Sequence, residues 1–340
     1  MKILKGKDYD ILERLISLRQ EQVKKTLALF LKEKYQRVIT TKDYIFAEGD
    51  IPIALVAHMD TVFEKTTFLN EKNSLFYDRK KGVMWHPKGA GFDDRAGVFA
   101  ILKIILNGYR PHVIFTTDEE LGGLGAIELT EDFPESPFKE LKYLIELDRA
   151  NEADCVFYDC YNEDFIDYVE KFGFIEAWGT FSDIDIICSE WKVAGTNLSI
   201  GYKNEHTVSE FLQVNAMFST IQKVEKMLED VENIEKFDYI LSPYQEAYYS
   251  QYYRTYMYGD SYEVKCKKCG KIYPEYDTIP VKLLDGSGTG YYCPDCICDE
   301  SIGWCRTCGE AFERKSINET TCKDCGGEKH KWIKNSLKVK

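Results

Sequence analysis

The sequence predicts an α/β fold, a mixed central sheet flanked by helices, with a small cysteine-rich module toward the C-terminus. Three observations point there. Short aliphatic runs at 53–57, 112–117 and 143–147 read as buried strands. They alternate with longer stretches whose apolar residues recur at helical spacing, and that alternation implies a mostly parallel or mixed sheet covered on both faces. From about residue 240 the texture changes to tyrosines and then to paired cysteines.

Each element follows from local pattern. Residues 9–33 place Leu12, Leu15, Val23, Leu27 and Phe30 at helical spacing, which predicts an amphipathic helix or helix pair. Residues 36–46 and 53–57 read as strands. Arg95 to Asn107 reads as a helix stopped by Gly108. Strands follow at 112–117 and 143–147, a helix at 163–172 and a strand at 193–202. A long helix is expected from Phe211 to about Glu235, with Val214, Phe218, Ile221, Val224 and Leu228 on one face.

The predicted organisation is a main domain over 1–240, a tyrosine-rich connector over 241–262, and two cysteine modules over 263–300 and 301–340. The net charge of −13 argues against non-specific binding to nucleic acid or anionic membranes. No run approaches 18 uncharged apolar residues, so no membrane span is expected. The first residues lack the apolar run of a signal peptide, and most of the twelve cysteines fall in Cys-x-x-Cys pairs. Metal ligation in a cytoplasmic protein is therefore the expectation, rather than disulfides.

Five short motifs carry the chemistry: His58-Met-Asp60, Gly-Phe-Asp93-Asp94-Arg95-Ala-Gly97, Asp118-Glu119-Glu120, Glu146-Leu-Asp148 and Asn-Glu-His206. Most follow an apolar run, and strand ends in an open α/β sheet are where ligands are held. A metal-binding His needs an acceptor on its other ring nitrogen, which Asp60 can supply to His58. Asp93 has two oxygens with which to bridge two ions, and Ala96 and Gly97 let the helix after it approach closely. Asp94 also suits a helix N-terminus. The adjacent Glu119 and Glu120 can divide the work, one on metal and one beside the attacking water. Asp148 and His206 are further ligand candidates.

Taken together, and in this order, these motifs resemble the co-catalytic di-zinc exopeptidases of peptidase clan MH, which include tripeptidases and leucine-type aminopeptidases. The resemblance covers roughly residues 50–230. It implies that Asp93 bridges two zinc ions, with a cis peptide to Asp94. It implies that His58 and Asp148 complete one site, and Glu120 and His206 the other. Glu119 is then the general base and Asp60 the partner of His58. Cobalt or manganese would also suit these ligands. Only 57 residues separate Asp148 from His206, and 34 separate His58 from Asp93. The resemblance therefore implies a catalytic domain without the lid of its carboxypeptidase-like branch, and it favours peptides with a free N-terminal amine as substrate. Two alternatives stay open. One is a carboxypeptidase or N-acyl amino-acid deacylase, for which Arg95 and Arg149 are the available cations. The other is a binding protein whose peptidase-like domain is a carrier. Asp183 is read either as a substrate contact or as a helix cap.

The tail holds four knuckles: Cys266/Cys269, Cys293/Cys296, Cys305/Cys308 and Cys322/Cys325. Eight thiolates suffice for two structural zinc ions, and metal would supply folding energy that such short segments lack. This is a double zinc ribbon, paired in sequence order or cross-braced. Lysines around the knuckles permit contact with nucleic acid or a protein partner. Cys155, Cys160 and Cys188 read instead as small buried apolar groups.

Overall fold

The computed structural model describes residues 7–63, 75–241, 263–274, 278–297, 301–305, 311–316 and 318–323. Residues 242–262 of the tyrosine-rich segment, and the expected ligands Cys308 and Cys325, lie outside them. The chain divides into two compact units, residues 1–245 and 246–340.

The first unit begins with helices α1 (Lys7–Ser17) and α2 (Gln20–Lys34), followed by strands β1 (Arg37–Thr40), β2 (Tyr44–Glu48) and β3 (Ile51–His58). The single strand expected over 36–46 is thus a hairpin. Thr41 turns it: its Oγ1 accepts the N–H of Asp43 at 3.1 Å and of Tyr44 at 3.0 Å. Next come β4 (Phe76–Asp78), β5 (Val83–Trp85), α3 (Phe92–Leu106), β6 (Pro111–Thr116), α4 (Leu124–Asp132) and β7 (Tyr143–Arg149). The remainder is β8 (Asp154–Val156), α5 (Glu163–Glu170), β9 (Ile175–Glu176), α6 (Asp183–Trp191), β10 (Gly195–Ser199), β11 (Tyr202–Lys203), β12 (Phe211–Gln213) and α7 (Val214–Glu229).

The main sheet has the order β1-β2-β6-β3-β7-β10-β8-β9. Its four central strands, β6, β3, β7 and β10, are parallel, and antiparallel pairings begin at β2 and β8. Side chains alternate across it as the period of two demands. Ile53, Leu55 and Ala57 of β3 join one core with α1, α2, α3, α5 and α7; Ala54 and Val56 join the other with α4 and α6. Helix α3 is buried nearly all round, which explains its almost unbroken apolar sequence. Gly97 allows it to sit on β7, since a Cβ there would lie 2.2 Å from the Leu147 carbonyl oxygen.

Two further sequence expectations need correction. Phe211 does not begin the long helix: residues 211–213 pair with β5, and α7 starts at Val214 and ends at Glu229. An apolar row at helical spacing does not mark where the helix begins, and here a tertiary strand partner decides it. Likewise 193–202 is not one strand, because β10 ends at Ser199 and the chain turns at Gly201 (φ +97°) into β11.

Strands β11, β12, β5 and β4 form a small antiparallel sheet. Residues 149–205 build β8, β9, β10 and their helices into the main sheet, so the described residues there form no separate lid.

In the second unit, β13 (Glu263–Lys265) pairs with β14 (Ile272–Pro274), and β15 (Ile279–Lys282), β16 (Thr289–Tyr292), β17 (Ile302–Trp304) and β18 (Ala311–Glu313) form a four-stranded sheet. Among the described residues, no helix is long and apolar enough to cross a membrane.

Candidate metal centre

The parallel strands end on one side of the sheet and deliver the site there. His58 is the last residue of β3, Glu119 and Glu120 follow β6 in a single 3₁₀ turn, and Asp148 is the last residue but one of β7. Asp93 precedes the regular part of α3, with non-helical backbone at Asp93 and Asp94 and a cis peptide between them. His206 sits on the hairpin between β11 and β12 with φ +60°. The small sheet brings that hairpin beside the Asp93 loop through the β12–β5 pairing.

Asp93 occupies the centre. Its Oδ1 is 3.1 Å from His58 Nε2 and its Oδ2 is 3.1 Å from His206 Nε2. His58 Nε2 is also 3.5 Å from Asp148 Oδ1, and His206 Nε2 is 3.0 Å from Glu120 Oε2. Glu119 Oε2 stands 3.9 Å from His58 Nε2. On the far side of the ring, His58 Nδ1 donates to Asp60 Oδ1 at 3.1 Å. Asp60 does more than orient that ring. Its two oxygens accept the backbone N–H groups of Glu119 at 3.1 Å and Glu120 at 3.0 Å, so one carboxylate positions both the histidine and the glutamate turn.

The charge balance is uneven. Burial, reinforced by Asp148, Asp183 and Asp93 and opposed by His58, pushes Glu119 up to about 9. Burial and then Asp93 raise Glu120 to about 7 and Asp148 to about 6. The hydrogen bond to Asp93 lifts His206 to about 9. Asp93 itself is buried, but its bonds to His206 and His58 outweigh that and hold it well below the usual carboxylate range. Carboxylates this crowded are a poor arrangement unless a cation neutralises them.

The donor set fits divalent ions. Ligand atoms of His58, Asp93 and Glu120 lie within 4.8 Å of one another, as do those of His58, Asp94 and Asp148. Glu120 Oε1 and Asp94 Oδ2 are buried with no hydrogen-bond partner among the described residues. The other oxygen of Asp94, Oδ1, accepts the Gly97 N–H at 2.9 Å as a helix-terminal carboxylate does.

Several supporting residues were not among the sequence candidates. Tyr202 Oη is 2.9 Å from Asp148 Oδ1, and Asn197 Oδ1 accepts the Asp148 N–H at 2.9 Å. Glu210 is fully buried and accepts three backbone N–H groups of the Asp93 loop. Ser182 donates to the buried Glu146. Asp183, which follows it, is fully buried and bonded to Thr116 Oγ1, so its surroundings are protein rather than an open cleft. Arg95 is corrected as well. It is 0% exposed, and its Nη2 donates to the Leu18 carbonyl at 3.4 Å, so it is not available to a substrate carboxylate.

In the second unit, the sulfurs of Cys266, Cys269, Cys293 and Cys296 gather within 4.8 Å. Burial opposes ionisation of Cys266, but backbone N–H groups of Cys269, Cys293 and Lys268 outweigh it and bring the thiol down to about 6. Thiolate character of this kind is what a zinc ligand needs. Cys305 and Cys322 are buried together with Phe312. Cys155, Cys160 and Cys188 are buried in the first unit.

No protein-family model and no curated protein sequence matches the chain. Solved structures match it in fold. Aminopeptidase PepT from Bacillus cereus ATCC 10987 is 14% identical with a TM-score of 0.51, the match covering 68% of this chain and 99% of that one. A tripeptidase from Staphylococcus aureus subsp. aureus Mu50 is 14% identical with a TM-score of 0.52, covering 68% and 100%. An aminopeptidase from the archaeon Desulfurococcus kamchatkensis is 14% identical with a TM-score of 0.51, covering 66% and 95%. The chain shares the α/β fold of these structures, with a mixed sheet between two layers of helices.

Proposed function

We propose that this chain is a metal-dependent aminopeptidase that removes residues from the free N-termini of peptides. The observation that carries the reading is the position of Asp93, each oxygen 3.1 Å from a different imidazole, with Glu119 beside the pair. Two divalent ions, zinc or alternatively cobalt or manganese, would be held by Asp93 with His58 and Asp148 on one side and with His206 and Glu120 on the other. Bound there, they would lower the pKa of the attacking water and polarise the scissile carbonyl.

The chain's own residues supply the rest. Glu119 takes the proton of the water as its oxygen attacks, and gives that proton to the leaving nitrogen as the C–N bond breaks. Asp60 keeps His58 in the tautomer whose Nε2 is free, and fixes the turn that aims Glu119. The excess of carboxylates attracts a free ammonium group, and the burial of Arg95 removes one of the two cations that a carboxypeptidase would use. The names of the solved structures, two aminopeptidases and a tripeptidase, agree with this reading.

In the same reading, residues 1–240 are the catalytic domain, 241–262 a connector, and 263–300 and 301–340 two zinc ribbons. Cys266, Cys269, Cys293 and Cys296 hold one structural zinc, and Cys305, Cys308, Cys322 and Cys325 the other. Paired thiols of this kind suit a reducing, cytoplasmic setting.

The test is amino-acid release from a peptide pool with free and blocked N-termini, using zinc-loaded wild type and Glu119→Gln. Release from free N-termini alone, reduced about 10²- to 10⁴-fold in the variant, is expected. Cleavage of blocked peptides, or equal rates in the two proteins, would overturn the reading.

A further inference from the structure

The N-terminal helix pair lies outside the five motifs, yet its corner reaches both limbs of the metal centre. Leu18, in the link between α1 and α2, accepts Arg95 Nη2 on its carbonyl oxygen at 3.4 Å, and Arg95 is the residue after Asp94. Gln20, the first residue of α2, pairs with Asp118, the residue before Glu119. Its Nε2 donates to Asp118 Oδ1 at 2.8 Å, and its Oε1 accepts the Asp118 N–H at 3.2 Å. One side-chain amide thus holds both the backbone and the carboxylate of the residue that opens the Glu119 turn. The corner itself is fixed: Gln22 Oε1 accepts the Arg19 N–H at 3.1 Å, and Val23, Leu27 and Leu31 bury the helix. One turn beyond Gln20, the buried Lys24 donates to the Lys42 carbonyl. The neighbouring Asp43 carbonyl takes the N–H and the Oγ1–H of Thr117, each at 2.8 Å. Helix α2 therefore grips the chain entering the turn twice, directly at Asp118 and through the β1–β2 hairpin at Thr117.

Asp118 needs such a grip. It adopts the left-handed conformation (φ +57°, ψ +38°), which is costly for a residue other than glycine and persists where the surroundings over-determine it. That conformation turns the chain after β6, and the Asp118 carbonyl oxygen takes the N–H groups of Leu121 and Leu124 at 3.3 and 3.2 Å. Asp60 pins the turn from the side of the metal centre, through the N–H groups of Glu119 and Glu120. Gln20 pins it from the side of α2. Two anchors on different elements fix the orientation of the turn, where one would leave a pivot. We propose that Gln20 is a positioning residue: it holds Asp118 so that the turn presents Glu119 to the attacking water, which makes the N-terminal helices part of the catalytic unit. The proposal rests on the aminopeptidase reading. Gln20 acts through Asp118 and not on the reacting atoms.

The experiment uses wild type, Gln20→Ala, Gln20→Glu and the double variant Gln20→Glu with Asp118→Asn, all full-length and zinc-loaded. Two quantities are measured: deuterium exchange at the backbone amides of residues 118–124, and kcat and KM for a peptide with a free N-terminus at measured zinc content. Gln20→Glu sets a carboxylate against Asp118 Oδ1. In the double variant the new amide at position 118 can donate to the new carboxylate at position 20, which restores the pair with its polarity reversed. Gln20→Ala and Gln20→Glu are expected to exchange faster at 118–124 while β7 keeps its protection. Their kcat should fall by about 10- to 100-fold with KM little changed, and the double variant should recover both quantities. Unchanged exchange in Gln20→Ala would overturn the proposal while leaving the aminopeptidase reading intact. So would faster exchange with an unchanged kcat, or a lowered kcat that the double variant does not recover, since Gln20 would then only staple α2 to the sheet. No cleavage of any peptide by zinc-loaded wild type would overturn the reading beneath it and the proposal with it.

Discussion

Glu210 Oε1 accepts the backbone N–H of Asp93 at 3.1 Å, across 117 residues of sequence. Its Oε2 takes the N–H groups of Ala90 and Gly91 at 3.1 and 2.6 Å. Glu210 ends the loop that carries His206, so one buried side chain sets the distance between the second imidazole and the central carboxylate. Replacing it with glutamine puts an NH₂ against backbone N–H groups that need acceptors. Glu210→Gln is expected to weaken binding of a divalent ion by about 10- to 100-fold, read by calorimetry with zinc or cobalt. Unchanged affinity would mean that the two loops keep their spacing without this bond.

Much of the site is legible in the sequence because its residues stand at the ends of runs that can only be buried strands. His58 follows Ile53–Ala57, and Asp148 follows a similar run; the parallel sheet then carries both to one edge. Glu210 and Tyr202 are not legible. Nothing in Ser209-Glu210-Phe211 distinguishes a loop glutamate on the surface from one whose partners are amides 117 to 120 residues earlier. Phe211 misleads for the same reason. Its spacing continues the apolar row of α7, but its conformation is set by Trp85 on the neighbouring strand.

Asp60 holds three N–H donors at once: the His58 ring and the backbone of Glu119 and Glu120. Asparagine offers one oxygen where the carboxylate offers two. Asp60→Asn should therefore lower kcat by about 10- to 100-fold, the range expected when a partner of a metal-binding histidine is lost. Steady-state kinetics on protein whose metal content has been measured checks this. A fall that tracks metal loss alone would assign Asp60 to metal retention and not to aiming Glu119.

The sulfur cluster of the second unit predicts an effect confined to that unit. Cys266 is buried, and its Sγ accepts the Cys293 N–H at 3.4 Å. Cys266→Ser should lower the zinc content by about one ion per chain, because a structural site needs all four thiolates. Protease should then cut within residues 263–300 while residues 1–240 stay intact. Full zinc content in the variant would remove Cys266 from the ligand set.

His112 gives the fold a pH dependence whose sign follows from its bonds. Nδ1 accepts the Gly49 N–H at 3.1 Å and Nε2–H donates to the Glu140 carbonyl at 2.8 Å, so the ring is held neutral. It stacks on Phe138 with centroids 4.1 Å apart. Burial depresses its pKa below the ordinary value, although Glu140, Glu48 and Asp50 work against the shift. A depressed pKa in the folded state means that the neutral ring stabilises the fold above about pH 6.5, the unfolded value. That contribution is lost as pH falls through the folded value, when Nδ1 gains a proton and can no longer accept from Gly49. Denaturant unfolding of the first unit at pH 7 and pH 5 should therefore show stability falling with acid more steeply in wild type than in His112→Gln. At pH 7 the variant itself should be less stable by about 1–3 kcal/mol, from the buried partners left unpaired. Equal slopes in the two proteins would mean that His112 already titrates as an exposed histidine does.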